Sequence, residues 1–547
     1  LRSIDVRPWE HECDHVSIDI PTLANVLKKL KSGKAAGLDG VPSEAFKWLK
    51  GDVVKMLGAL FEPILNGSMP PLSWKISEVC LIPKVPMKET SPSDFRPITL
   101  LNCISKVLEG YVLQVVEDFV RRTGLGQVHE MQGGFRAGRS ALDQVWLLQR
   151  SIEFQRVSGR DTFVAFLDIR KAYDTVPFSM MMKRLVDAQF PDWFIQFCYR
   201  SIQDHHRRLR LPSNEKCIKI RRGLPQGSVL SPFLFNVFID SLVRQLESKG
   251  CLCERNDDVV NDTLWCGAIL YADDIALSAN SLQELQEMID ICSSWALDNG
   301  MEFSSSKSKW MGFPSKQMQC KYTYPWKSTS IVLDNNQIER VDTFEYLGVM
   351  VSDRRFRSCK IDCSRRLKAT LDTLGARSFT FNPKLGCPVW VGRMFARASY
   401  VPRAFYGVEL GCPVGRRDDS GSVAYHSFAR KVLSTFDCTS TKRMLSFLGW
   451  PDYKLFTDMA FLRYFVRLVN GASPASSRMT LILLSTEGNA SSSVWWRSVV
   501  SACERVHLKE SCGLPSLIPE KGSPADRLQV SLVVWENVRS VLIHACT

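Results

Sequence analysis

Two aspartates, Asp273 and Asp274, stand side by side inside ILYADDIAL (269–277), a run whose other residues read as a core strand. An ionised carboxylate taken out of water costs several kcal/mol, roughly, unless it is paired or holds a metal. A third acid, Asp168, ends the strand-like run Phe163–Leu167 and leads into a helix-like segment. Taken alone, Asp168 is more simply a helix cap. Brought onto adjacent strands, the three carboxylates form an oxygen-rich site for hard divalent cations such as magnesium. Two such ions about 4 Å apart activate an attacking hydroxyl and stabilise a leaving phosphate oxygen.

Side chains with that task need a rigid frame. KSGKAAGLDGVPSEAFKWL (31–49) is a Gly-rich turn entering a helix through Pro42 and Ser43, and EVCLIPK is a strand ending at Pro83-Lys84. The turn-rich VPMKETSPSDFRPI carries Lys88 and Arg96 ahead of an apolar-periodic segment, Leu101 to Val120. In QGGFRAGRSALDQVWLLQRSI, Gly133, Gly134 and Gly138 let backbone approach a ligand, and Leu142, Val145, Trp146 and Leu148 line one side of the following helix. RRGLPQGSVLSPFLFNVFIDSLVRQL (221–246) joins a Gly-Pro-Gly loop to a helix with Leu234, Phe235, Phe238, Ile239 and Leu242 at 3 and 4 spacing. GAILYADDIALSA reads as strand, tight turn, strand. Ser281 and Glu284 then form a capping box for a helix through Leu285, Met288, Ile289, Cys292 and Trp295, ended by Gly300. Alternation of strand and helix predicts an α+β sheet covered by helices on one face.

At 547 residues the chain exceeds a single core, and about 150 residues per domain suggests three or four units. A net charge of +13 points to a polyanion, with nucleic acid leading. The excess is concentrated: eight Lys or Arg lie between Arg200 and Arg222, and eight more between Asp353 and Arg377. Two such stripes suit a groove that tracks phosphates, and the alternative for either is a solvated face. No apolar run reaches the 18 or so residues of a membrane span, so no membrane partner is expected. The 18 scattered Cys fit a reducing intracellular compartment. His11-Glu12-Cys13-Asp14-His15 and Cys503, His507, Cys512 lack a CxxC knuckle and are left without a metal role. The start at Leu1, without a signal segment, suggests a piece of a longer product.

In order along the chain, these segments resemble the motifs of reverse transcriptases, specifically of the non-LTR (LINE-type) retrotransposon branch. YADD (271–274) resembles the catalytic box, FLDIRKAYDTV the first-aspartate motif, and GLPQGSVLSPFLFNVFIDSL the template and nucleotide motif. GLDGVPSEAFK, CLIPK with DFRPITLLNCISKVLE, and QGGFRAGRSALDQV resemble the upstream blocks, so the likeness covers roughly residues 31–352.

The resemblance implies an RNA-directed DNA polymerase with a right-hand arrangement of fingers, palm and thumb, an antiparallel palm sheet covered by helices, and a mainly helical C-terminal region. It implies Asp168, Asp273 and Asp274 as ligands of two Mg2+ ions, with Mn2+ as a substitute. Tyr173 becomes the sugar gate; Lys84 and Arg96 hold the incoming triphosphate; Gln226 and Gly227 pack on nucleotide and template; Lys307 aids pyrophosphate departure. FEYLGVMVS (344–352), with Tyr346, Leu347 and Gly348, resembles the primer grip, and its residues alone read equally as a core strand. The implied partners are template RNA, a DNA primer or target DNA, and dNTPs, with target-primed synthesis in the nucleus and assembly with RNA in the cytoplasm. The expected division is an N-terminal extension and start of the fingers (1–75), fingers and palm (76–315), primer-grip region (316–352), a thumb-like helical region (353–470) and a C-terminal region of unknown role (471–547). Leu367, Leu371 and Leu374 suggest a thumb helix, while Trp495, Trp496 and Trp535 suit a core. A group II intron-type or domesticated enzyme is the near alternative. A non-catalytic RNA-binding scaffold on the same fold is the distant one.

Overall fold

The computed structural model describes residues 15–84, 94–210, 215–256, 261–315, 324–353, 400–410, 419–433, 439–469 and 473–485, together with a few isolated positions. The second basic run, the thumb-helix leucines, residues 11–14, the C-terminal Cys/His group and Trp495, Trp496 and Trp535 lie outside these residues. Described strands are β1 (Ile76–Pro83), β2 (Phe95–Leu100), β3 (Thr162–Asp168), β4 (His206–Arg210), β5 (Glu215–Lys219), β6 (Leu252–Asn256), β7 (Asn261–Trp265), β8 (Ala268–Tyr271), β9 (Asp274–Ala279), β10 (Lys309–Phe313), β11 (Ile331–Leu333), β12 (Asn336–Arg340), β13 (Thr343–Tyr346) and β14 (Val349–Ser352). Among the described residues, no helix is long and apolar enough to cross a membrane.

The chain divides into two compact units. The first comprises residues 1–135, 168–246 and 289–304; the second comprises 136–167, 247–288 and 305–547.

In the first unit, four strands run in the order β2-β1-β4-β5. β1 pairs antiparallel with β2 and parallel with β4, so the chain must travel through other elements before it returns beside β1. The long helix Cys103–Thr123 buries Val107, Leu108, Tyr111, Val112 and Val116, spaced to make one apolar stripe, and Gly124 closes it in the left-handed conformation. The helix Ser231–Leu246 buries Leu234, Phe235, Phe238, Ile239 and Leu242, the residues whose spacing predicts it.

In the second unit, six strands run in the order β11-β12-β10-β3-β9-β8. β3 is central and buried along its length up to Asp168, which fits its uninterrupted apolar sequence. The pairs β10/β3 and β8/β9 are antiparallel, as expected; β10/β12 is parallel and extends the sheet at one side. β6/β7 and β13/β14 are separate hairpins. The helix Ala141–Val157 opens with a complete capping box between Ser140 and Asp143.

The helical residues beyond 400 gather an aromatic core, with Tyr400 stacked on Phe428 at 3.6 Å and Phe405, Tyr425 and Trp450 around them. Two arginines tie later helices to the rest of the unit. Arg467 sends Nη1 to Asp143 Oδ1 at 2.6 Å and Nη2 to Asp143 Oδ2 at 2.8 Å, and Arg478 sends Nη2 to Asp262 Oδ1 at 2.6 Å. A two-pronged guanidinium–carboxylate bond fixes direction as well as distance, so these pairs set how the helices Tyr453–Val469 and Pro474–Ser485 lie.

The Ser281 half of the expected capping box is present, with Glu284 N donating to Ser281 Oγ at 3.1 Å. The other half differs. Glu284 Oε1 accepts from Gly250 N at 2.8 Å and Oε2 from Asn280 N at 3.1 Å, so the carboxylate also anchors the chain ahead of β6.

Candidate active site

β8 and β9 are joined through two turn residues, Ala272 and Asp273, with Tyr271 paired to Asp274. Ala272 has φ +58°, a conformation in which glycine is favoured because a Cβ crowds the backbone. Such strain persists only where surrounding structure enforces it and is concentrated at functional sites. Here the enforcement comes from burial: Ile269, Leu270, Ile275, Ala276 and Leu277 are at most 1% exposed, so the register cannot slip without turning the core face outward. The adjacent charges that look costly in sequence therefore sit at the solvent end of the hairpin. Asp273 is half-buried and Asp274 exposed.

In the same sheet β9 neighbours β3, and Asp168 is the last residue of β3. Asp168 begins β3's exit rather than a helix: its carbonyl accepts from Ser304 N at 2.8 Å, and Ala172–Thr175 is the next helical turn. Among the described residues, no three His, Cys, Asp or Glu side chains stand together closely enough to hold one ion as placed. The donor set nevertheless suits a hard cation. It is all oxygen, it is carried by strand ends of one sheet, and its carboxylates reach solvent.

Below the hairpin, β13 and β14 turn through Leu347 (φ +47°) and Gly348 (φ +78°), both left-handed as a tight two-residue turn demands. Tyr346 is 3% exposed and donates its hydroxyl to Ile269 O at 3.3 Å. Burial holds its phenol well above the usual range, with the charge of Asp274 adding to the effect. Phe166 of β3 stacks on Phe344 at 4.3 Å and touches Tyr346 at 5.3 Å. Tyr346 therefore props the hairpin from beneath, while Leu347 and Gly348 form the exposed turn's bend. Lys307 is exposed on the turn 305–307 just before β10, whose Lys309 pairs with Phe166 of β3.

The first unit gathers another set. Tyr173 lies flat against Phe235 at 4.9 Å and edge-on to Phe135 at 6.3 Å. Its carbonyl accepts from Leu224 N at 2.7 Å, and Gly223 N donates to Val176 O at 2.8 Å, which ties the Pro225-Gln226-Gly227 loop to the tyrosine's own segment. On the loop's other side Thr99 N of β2 donates to Gln226 O at 2.7 Å. Gly227 has φ +143°, and a Cβ there would lie 2.2 Å from Thr99 O, so no other residue fits. Arg96 is three residues before Thr99 on β2 and pairs with Ile82; Lys84 N donates to Asp94 O at 2.8 Å. Both Lys84 and Arg96 are exposed. Thus Lys84, Arg96, Tyr173, Gln226 and Gly227 share one frame of strand, loop and helix.

Sequence reasoning missed the polar support of that loop. Asp174 accepts from Gln226 Nε2 at 3.3 Å and faces Arg207 Nη1 at 3.6 Å. Glu109 accepts from Val229 N at 2.7 Å and Ser228 Oγ at 2.9 Å, and burial pushes its pKa up. The position of Asp174 beside Tyr173 was a signal available in the motif. Arg207 carried none, because nothing local separates a buried arginine from its neighbours in a basic run. The run is accordingly not one solvated stripe: Arg207 and His205 turn inward, while Lys216, Arg221 and Arg222 stay exposed.

Residues 82–351 match the family described as reverse transcriptase (RNA-dependent DNA polymerase). The chain carries a non-LTR retrotransposon reverse transcriptase domain. It is similar to the probable RNA-directed DNA polymerase from transposon BS of Drosophila melanogaster, at 27% identity over 62% of this chain and 36% of that one. It is also similar to the RNA-directed DNA polymerase from mobile element jockey of the same species, at 24% identity over 74% and 42%. The chain spans about two fifths or less of these curated relatives' length. A solved telomerase from Candida albicans, in complex with a fragment of telomeric RNA, is similar with a TM-score of 0.38 and 12% identity over 83% of this chain and 68% of that one. In the reverse transcriptase domain the α+β fold expected from the sequence is the one found, followed by mainly helical residues.

Proposed function

We propose that this chain extends a DNA 3′ end by copying an RNA template, in the target-primed manner, with Asp168, Asp273 and Asp274 as the ligands of two Mg2+ ions. The observation that carries the reading is the sheet order, which sets the end of β3 beside β9 and the strained turn that leads into it. When bound, such ions lower the pKa of an attacking hydroxyl and neutralise charge on the leaving oxygen, and Mn2+ supports the same chemistry. The protein's own part is positioning. Lys84 and Arg96 offset triphosphate charge from exposed positions at the start of the two-strand frame. Gln226 and Gly227 present the loop backbone to the base pair, held by Thr99, Asp174 and Glu109. Tyr173, fixed by Phe235, lies under the sugar. Lys307 stands ready for the departing pyrophosphate, and Leu347 and Gly348 face the primer while Tyr346 stays in the core. Fingers and palm over 76–315, a primer-grip region over 316–352 and a thumb-like region over 353–470 complete the proposal, with template RNA, target DNA and dNTPs as partners and the nucleus as the place of synthesis.

Primer extension on an RNA template with dNTPs and Mg2+ tests the activity. Templated extension is expected, and its absence under Mg2+ or Mn2+ overturns the reading.

Two variants test the nucleotide site. Tyr173→Ala removes the ring beneath the sugar and is expected to raise ribonucleotide use relative to dNTPs by about tenfold to a hundredfold, on the scale of one lost steric contact. Single-nucleotide incorporation of rNTP against dNTP measures it, and an unchanged ratio contradicts the sugar-gate role. Gly227→Ala forces the loop off Thr99 O and is expected to lower kcat/KM for dNTPs by roughly a hundredfold, as for a displacement near 1 Å. Steady-state incorporation checks this, with primer-template affinity as the control that should change little.

A further inference from the structure

Behind the Gln226–Gly227 loop the first unit encloses a cavity of about 830 Å³, counted to its open mouth. This is the size of a small-molecule pocket. Its walls are largely carbon, from Trp74, Leu108, Phe197, Leu224 and Leu234, and its roof is the loop itself, Gly223 to Ser228.

Two cations line it in a way the polymerase reading does not use. Lys75 is only 4% exposed, and no hydrogen bond or ion pair to its ammonium is found among the described residues. The nearest acid that acts on it, Asp204, is already bonded to Lys219 at 2.5 Å. Arg207 gives Nη1 to Asp174, while its buried Nε and Nη2 have no hydrogen-bond partner. His205 adds no charge of its own: it is 7% exposed, bonded to Ser77 Oγ at 2.9 Å, and burial pushes its pKa down to about 4. A buried ammonium without a counter-ion is costly, and the cost is removed if an anion shares the cavity.

We propose that this cavity binds a small amphipathic monoanion, its acid group seated on Lys75 and Arg207 and its apolar body among Trp74, Phe197 and Leu234. Because the roof is the loop that carries Gln226 and Gly227, occupancy fixes that loop and changes nucleotide affinity. The binding claim stands without the proposed function; the effect on nucleotide rests on it.

The probe is 8-anilinonaphthalene-1-sulfonate, an aromatic body with one sulfonate, titrated by fluorescence into the native chain and into Lys75→Met. The expected result is saturable one-site binding to the native chain and at least tenfold weaker binding to Lys75→Met. Lys75→Met removes an unpaired buried charge and keeps the side-chain length, so its melting temperature should equal or exceed that of the native chain. Equal affinity of the two proteins, or binding that does not saturate at one site, overturns the site. At saturating probe, KM for dNTP is expected to shift severalfold in the native chain and not in Lys75→Met. Binding without a KM shift overturns the coupling to the loop. If neither protein incorporates nucleotide, the function fails while the fluorescence result still decides the site.

Discussion

Asp273→Asn is expected to cut templated incorporation by at least about a thousandfold, since removing one charged group that acts on a phosphoryl transition state costs several kcal/mol of its stabilisation. The substitution keeps size and turn chemistry, so the Tyr271–Asp274 pairing and the left-handed Ala272 survive. Asp273 is half-buried next to a second carboxylate, and loss of one negative charge there relieves repulsion in the ion-free protein. Activity should therefore collapse while the melting temperature holds or rises. Primer extension beside thermal denaturation separates the two quantities. A destabilised variant with proportionate loss of activity would point to a structural role instead.

Arg467→Ala is expected to destabilise the second unit by about 3–5 kcal/mol, the usual consequence of stripping one partner from a buried ion pair. Asp143 is 1% exposed. Besides the two bonds from Arg467 it accepts from Tyr464 Oη at 3.1 Å and from Ser140 N at 2.8 Å. Without Arg467 the carboxylate keeps its cap and loses its counter-charge. Thermal denaturation should show a fall on the order of 10 °C, at roughly 2–4 °C per kcal/mol for a unit of this size. Combining Arg467→Met with Asp143→Asn should recover most of the loss, because both charges then leave together. A fall below about 1 kcal/mol in the single variant would mean that the pair is solvated in solution.

What the sequence made legible was local. ILYADDIAL reads as strand, turn, strand because buried residues fill both faces of a short run and two acids interrupt it, and the structure has that hairpin with its turn at Ala272 and Asp273. The helix Ser231–Leu246 follows from its 3 and 4 spacing. What stayed hidden depends on partners far along the chain. The parallel pairing of β1 with β4 joins residues more than a hundred positions apart, and neither strand carries a mark of the other. FEYLGVMVS reads as one strand but folds as a hairpin, since the left-handed bend at Leu347 needs context that Gly348 alone does not announce. Arg207, Lys75 and Glu109 look like surface charges in sequence, and only packing turns them into loop supports and cavity walls.

The central claim is that Asp168, Asp273 and Asp274 serve one metal site, and iron-directed cleavage tests it without turnover. Fe2+ with ascorbate and peroxide, in place of Mg2+, cuts backbone next to the bound ion. Peptide mapping of the native chain is predicted to show paired cuts, near residue 168 and near residues 273–274, both suppressed by excess Mg2+ and both lost in Asp273→Asn. Cuts at only one of the two places, or paired cuts that persist in Asp273→Asn, would contradict a shared site.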